Sequence, residues 1–399
     1  MFPITLIGKF DFLLCMERFL TILLLGLTMR GGKALGSEVI SGTAYYGPIT
    51  KQLLHTVPPG AIIIIEHEDI DITAAQDMLR KKVKSVINTK TSVTGKLTRS
   101  GVSCLLDAGV SVFDTVNHFV PEEHKTEIKI KGTAIRQKQG EEWRLTGRVK
   151  KYTQDELAER LQRGKSKFHE LYACFAENSF NYARKEIDLF LSAVKQLPKL
   201  EEADAACVFI VGRGKDVEND IHYLLPCINK KDAVIFAIDG ASEILYRNGI
   251  KPDYIIGDMD SVPEESWRYT GKFIAHSYMN GHSPGKERLE KLSIDSLAIP
   301  FPGLSEDLAV MLAFVSDAEH IILLGCKSSA VEMAEKGRKG MGSTILTRMY
   351  AGDKLSEWKS LSSWMKDMPM YSERWNISHT GLLKEYIKND NSRHNHSGI

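Results

Sequence analysis

A chain of 399 residues has room for two or three domains. Its composition, 43% hydrophobic and 26% charged, is that of a folded soluble protein, and a net charge of +1 provides no whole-chain field for nucleic acid. Six scattered cysteines form no C-x-x-C pair, which argues against a zinc site and a disulfide framework and for a reducing compartment.

The first apolar run, "FLTILLLGLTM" (19–29), is too short to span a bilayer, which takes roughly 20 residues. Two readings stay open for it: a weakly membrane-associating helix, or an upstream extension before a start at Met29. From Gly60 strands and helices alternate. "AIIIIEH" (61–67), "VKSVIN" (83–88) and "VSVFD" (110–114) are expected strands, with helices at 71–82, capped by Asp71, and in "VSCLLDAG". Such a β-α-β-α-β unit predicts a parallel sheet. Residues 126–150 alternate around "KQGEE" as a small hairpin does.

Residues 153–197 hold one glycine, Gly164, and predict one long helix or two. Leu171, Phe175, Phe180, Ala183, Ile187, Phe190 and Val194 recur at helical spacing, and a homodimer through 171–194 is expected. Beyond Pro198 a second α/β series begins at "ACVFIVGRGKD". Its strands are expected at 233–239, 254–258, 272–277, 296–301 and 320–326. The fold class is therefore α/β: an N-terminal extension (1–38), a small α/β domain with a hairpin (39–150), a helical connection (151–200), a parallel-sheet domain (201–355) and a polar tail (356–399).

In an open α/β sheet ligands bind beyond the carboxyl ends of the strands. Here strands end in acid, at Asp239 in "AIDG" and at Asp258 and Asp260 in "IIGDMDS", and Asp307 opens a helix in "SEDLAV". Residues two apart in an extended chain point to the same side, so Asp258 and Asp260 are expected to face one ligand together. Paired carboxylates without Cys or His suit Mg²⁺, held by acids and phosphate oxygens. Gly240 and Gly257 allow close backbone approach. In "GRGKD", Arg213, Gly214 and Lys215 follow a strand as a phosphate cradle would, and Arg338 and Lys339 lie among glycines in "EKGRKGMGST". Each has a plainer reading, as a strand-to-helix turn and a solvated turn. His276 and His282 flank a glycine loop and are expected at the surface.

The segment "AIDGASEILYRNGIKPDYIIGDMDS" resembles the first motif of the thiamin pyrophosphokinase catalytic domain, D-G-[GA], a leucine, G-x-x-P-D and GD-[FM]-DS. "SEDLAVML" resembles that family's second motif. The resemblance implies Mg²⁺ ligands at Asp258, Asp260 and Asp307, and Asp239 beside the nucleotide; Asp253 and Ser261, of the same motif, join the nucleotide-binding set. That family's GGRxDH element is replaced here by "GCKSSAVEMAEKGRKGMGSTILTR". Over about residues 39–355 the chain also resembles the cytokinetic ring protein SteA family, in "VINTKTSVTGKLTRSG", "FAENSFNYARKE", "IDGASEIL" and "EKGRKGMGSTILTR" among other segments. That resemblance implies a bacterial Mg-nucleotide-binding protein of cell division or envelope maintenance with a divisome or membrane-protein partner. An active ATP-dependent diphosphotransferase is the alternative. The expected location is cytoplasmic, with peripheral membrane contact the variant.

Overall fold

A computed structural model describes residues 39–366, apart from 118, 120, 122, 215, 229–232, 263–266 and 268–271. The N-terminal run and most of the tail lie outside the described residues.

The first unit is a closed seven-stranded barrel of β1 (Val39–Tyr46), β2 (Ile62–Ile65), β3 (Ser85–Asn88), β4 (Ser111–Thr115), β5 (Lys125–Lys131), β6 (Ala134–Gln139) and β7 (Glu142–Lys151). β1 to β4 run parallel, and the β5–β6–β7 meander closes the ring by antiparallel pairing of β5 with β1 and of β7 with β4. The expected side hairpin is thus three strands of one barrel. The four isoleucines of β2 show why the run is continuously apolar. Ile62 and Ile64 fill the barrel interior, while Ile63 and Ile65 pack outward under helices α1 (Thr50–Thr56), α2 (Ile72–Arg80) and α3 (Gly101–Asp107). A strand covered on both faces has no polar face to alternate.

Helices α4 (Gln154–Ser166) and α5 (Phe168–Lys195) follow. α5 divides its apolar stripe: Phe175, Phe190 and Val194 are buried within the chain, whereas Phe180 and Ile187 are exposed. Phe190 meets Phe301 and Tyr350 edge-on.

The second unit is an all-parallel sheet in the order β12-β11-β10-β9-β8-β13-β14. Its strands are β8 (Cys207–Val211), β9 (Ala233–Ile238), β10 (Tyr254–Gly257), β11 (Lys272–Ser277), β12 (Leu297–Pro300), β13 (His320–Leu324) and β14 (Leu355–Trp358). One face packs Ile210, Phe236 and Ile256 against α9 (Ser305–Val315) and α5; the other packs Phe209, Ile235 and Ile255 against α6 (Val217–Ile228) and α7 (Ala241–Arg247). The sheet runs past the expected boundary at 355, because β14 pairs with β13 through Leu355 to Trp358. Among the described residues no helix is long and apolar enough to cross a membrane.

Candidate active site

The chain leaves β8 towards β9 and returns on the other side of β8 as β13, so strand order reverses there. Crevices at such reversals are where open α/β sheets hold ligands. The loops after β8 and β13 touch backbone to backbone: a Cβ on Gly214 would stand 2.5 Å from the carbonyl oxygen of Gly325, and one on Gly212 2.8 Å from it. Glycine is therefore required at both positions.

Two acids meet at the carboxyl ends of β9 and β10. Asp239 has φ +47, in the left-handed region. Its half-buried carboxylate accepts the Met259 N–H at 3.0 Å. Burial, and then the charge of Asp258, push the Asp239 carboxyl well above the usual carboxylate range. Asp258 is exposed, and its Oδ1 accepts the Asp260 N–H at 3.0 Å. Between them Met259 has φ +63, so residues 258–260 form a turn. The expectation that Asp258 and Asp260 project together from extended chain fails there, because alternation holds only for extended backbone.

Asp307 is turned inward. Its Oδ2 accepts the Leu304 N–H at 2.9 Å and the Thr344 hydroxyl at 2.8 Å, and Arg348 lies 4.0 Å from Oδ1. Burial raises its carboxyl to about 6. Among the described residues no three acid, histidine or cysteine side chains form a metal-holding group, so Asp258, Asp260 and Asp307 are not brought together as one. Its neighbour Glu306 is half-buried, and its charge acts on Asp239, His276 and Lys327. A signal for the inward turn of Asp307 was present: an acid at the third helical position caps the helix by reaching back. His276 is also not a surface residue. Its ring nitrogens meet the Phe301 carbonyl at 2.8 Å and Ser305 Oγ at 3.3 Å, and burial lowers its pKa. His282 is exposed, as expected.

Arg213, Gly214, Gly240 and Ser261 do assemble. Arg213 donates to Ser261 Oγ at 3.3 Å, and a Cβ on Gly240 would stand 2.8 Å from the Ser261 carbonyl oxygen and 3.2 Å from Arg213 Cδ. Arg213 and Ser261 line a cavity of about 570 Å³ that reaches across to the barrel. Asp253 lies at the opposite edge of the sheet, where it precedes β10 and its carboxylate accepts the Ile235 N–H at 2.8 Å. Lys215 is outside the described residues.

Arg338 and Lys339 line a separate cavity of about 410 Å³ between α5 and the segment leading to α11 (Gly342–Tyr350). The glycines of that segment serve docking on α5. A Cβ on Gly342 would stand 2.6 Å from the Ala183 nitrogen, and one on Gly340 3.0 Å from the Ser179 nitrogen. Asn178 holds the Lys339 carbonyl at 3.1 Å, and Ser343 donates to Glu186 at 2.7 Å.

Residues 225–277 match the family model of the thiamin pyrophosphokinase catalytic domain, a stretch that carries Asp239, Asp258 and Asp260. Among solved structures, the chain is similar to the thiamin pyrophosphokinase of Geobacillus thermodenitrificans, 17% identical over 38% of this chain and 59% of that one, with a TM-score of 0.25. It is similar too to the MAf glycosyltransferase of Magnetospirillum magneticum AMB-1, 17% identical over 44% of this chain and 31% of that one, with a TM-score of 0.23. The chain thus spans about three-fifths of the first relative's length (59%) and under a third of the second's (31%). No curated protein matches.

Proposed function

We propose that the carboxyl edge of the parallel sheet binds a nucleotide with Mg²⁺. The observation that carries this reading is the half-buried Asp239 carboxylate beside Asp258, next to Arg213 and Ser261. Two close carboxylates repel unless a cation joins them, and Mg²⁺ is commonly held by one or two carboxylates with phosphate and water completing its shell. The residues present fit that group: Asp239 and Asp258 would hold it, whereas Asp307 is already engaged by Leu304, Thr344 and Arg348. When bound, Mg²⁺ neutralises phosphate charge. The chain's own share is to place phosphate against Arg213 and the tight loops at Gly214 and Gly240.

The wider reading is a SteA-like bacterial protein of cell division or envelope maintenance, with a divisome or membrane-protein partner, cytoplasmic or peripheral at the membrane. It rests on the segments that resemble that family's and on the acidic motif within the matched stretch 225–277. A homodimer through the exposed face of α5 belongs to the same proposal. An active diphosphotransferase is the second reading, favoured by a cavity of about 570 Å³ opening beside the acids, where an acceptor would fit.

The test is titration of a fluorescent ATP analogue with and without Mg²⁺, on the full chain and on Asp258→Asn. Binding that needs Mg²⁺ and weakens in the variant is expected; equal binding throughout would sink the metal-nucleotide reading. AMP release from ATP over a panel of hydroxyl acceptors decides whether the site turns over.

A further inference from the structure

The cavity beside Arg213 has a second wall, and the barrel supplies it. Lys51 and His55 of α1 and Arg80 and Lys81 at the end of α2 face Arg213, Arg247 and Arg288 of the sheet domain. Six lysines and arginines therefore surround one space of about 570 Å³, against two carboxylates, Asp77 and Glu243. Those carboxylates are already committed. Asp77 pairs with Arg80 and, across the domain boundary, with Arg213 at 3.5 Å; Glu243 pairs with Arg247. Lys51 and Lys81 have no ion-pair partner among the described residues. Arg288 is held in place: its guanidinium donates to the Met259 carbonyl at 2.6 Å and lies 5.1 Å from the centre of the Trp267 ring.

The positive potential is felt by neighbouring groups. His55 is held below the ordinary histidine range by burial, then by Lys51, Arg288 and Lys81. Lys51 also acts on Asp239, and Ser261, which lines the cavity, directly follows Asp260 in the chain. Cations gathered from two domains in one cavity repel one another, and the two carboxylates there offset only part of that charge. An anion between them removes the repulsion, and guanidinium groups match phosphate oxygens in pairs.

The geometry points to an interdomain site for a phosphorylated ligand, with Lys51, Arg80 and Lys81 of the barrel opposing Arg213, Arg247 and Arg288 of the sheet domain. This rests on the nucleotide reading only in its position beside Asp239. The phosphate belongs either to the nucleotide itself or to a separate phosphorylated acceptor. An acceptor with a fixed positive charge, such as thiamin, is disfavoured by the same field.

The probe is inorganic pyrophosphate without Mg²⁺, titrated calorimetrically into the full chain. Lys51→Glu/Lys81→Glu is expected to weaken binding by at least about tenfold, because it reverses two charges on the wall. Lys131→Glu/Lys138→Glu makes the same charge change at exposed barrel positions away from the cavity and should stay within about twofold. Equal affinity in the wild-type chain and Lys51→Glu/Lys81→Glu, or no binding by the wild-type chain, overturns the proposal. So does thiamin that displaces pyrophosphate. A thermal melt checks that each variant is folded. Repeating the titration with saturating Mg²⁺ and a non-hydrolysable ATP analogue separates the sources. Displacement assigns the site to the nucleotide's own phosphates, and continued binding assigns it to a separate acceptor. An analogue that fails to bind while pyrophosphate binding survives sinks the nucleotide reading and leaves this site standing.

Discussion

The carboxylate of Asp239 lies against the bare Cα of Gly257: a Cβ on the glycine would stand 2.0 Å from Oδ1. The two residues end neighbouring strands, and both leave ordinary backbone space, with φ +47 at Asp239 and +157 at Gly257. Only a residue without a side chain lets the Asp239 carboxylate occupy that position. Gly257→Ala should therefore displace Asp239, cost about 1–3 kcal/mol of stability and remove Mg²⁺-dependent nucleotide binding. Gly249→Ala is the control. It also has positive φ, +71, but its Cβ would meet nothing within 4 Å, so it should lose stability and keep binding. Urea unfolding and the analogue titration read the two effects separately. Undiminished binding by Gly257→Ala would show that the position of Asp239 does not matter.

Asp307 predicts a pH dependence. Its carboxyl is raised by burial to about 6, against an ordinary value of about 3.9 in the unfolded chain. Between those values the folded state holds more protons than the unfolded one, so this group's contribution to stability falls as pH rises through the window and is flat above it. Asp307→Asn removes the titration and keeps an oxygen to accept from Leu304 and Thr344. Relative to the wild-type chain, the variant should gain up to about 3 kcal/mol between pH ~4 and ~6. Urea midpoints across that range measure the gap; a gap independent of pH rules the account out.

Much of the sheet domain could be read from sequence, because a parallel strand buried on both faces is a short continuous apolar run with a glycine or an acid at its end. Ile235, Ile255 and Ile322 all lie in strands expected from such runs. Barrel closure could not be read. It depends on β1 pairing with β5, Val39 opposite Lys131, and the alternation of "TEIKIKG" suits a free hairpin equally well. At the candidate site, the acid motif lies at the ends of β9 and β10, while two local conformations decided how its acids are turned. One is the left-handed Met259; the other is the capping role of Asp307. The barrel's contribution was invisible for a different reason: Lys51, Arg80 and Lys81 on amphipathic helices look like solvated residues until a second domain is set against them.

The exposed face of α5 predicts self-association. Tyr172, Phe180, Ile187 and Leu191 lie seven, eight or four residues apart, within one side of the helix, and are 54%, 66%, 42% and 39% exposed. A second copy of this helix is the proposed occupant. Light scattering should give the mass of a dimer, and Phe180→Glu/Ile187→Glu should give a monomer with little change in thermal midpoint, since neither residue joins the core. A wild-type monomer at micromolar concentration would count against the interface.

Ion pairs between the barrel and the sheet domain are expected to hold the two walls of the cavity in register. Asp71 caps α2 by accepting the Thr73 and Ala74 N–H groups at 2.9 and 3.1 Å, and it meets Lys336 of the sheet domain at 2.8 Å. Nearby, Lys327 donates to Thr73 Oγ1 at 3.3 Å, and Arg99 pairs with Glu335. Burial alone would raise the Asp71 carboxyl, but Lys336 and the cap outweigh it and hold it below the usual range. Its contribution to stability is therefore present above the unfolded value of about 3.9 and lost as pH falls through the lower folded value. Asp71→Asn removes the charge and keeps an oxygen for the cap, whereas Asp71→Ala also loses the cap, worth about 1 kcal/mol. In a double-mutant cycle of Asp71→Asn with Lys336→Met, the coupling should be about 1–3 kcal/mol near neutral pH. It should shrink in acid. Because α2 carries Arg80 and ends at Lys81, Lys336→Met should also weaken pyrophosphate binding although it does not line the cavity. A coupling near zero at neutral pH, with pyrophosphate affinity unchanged, would mean that this ion pair does not position the barrel over the site.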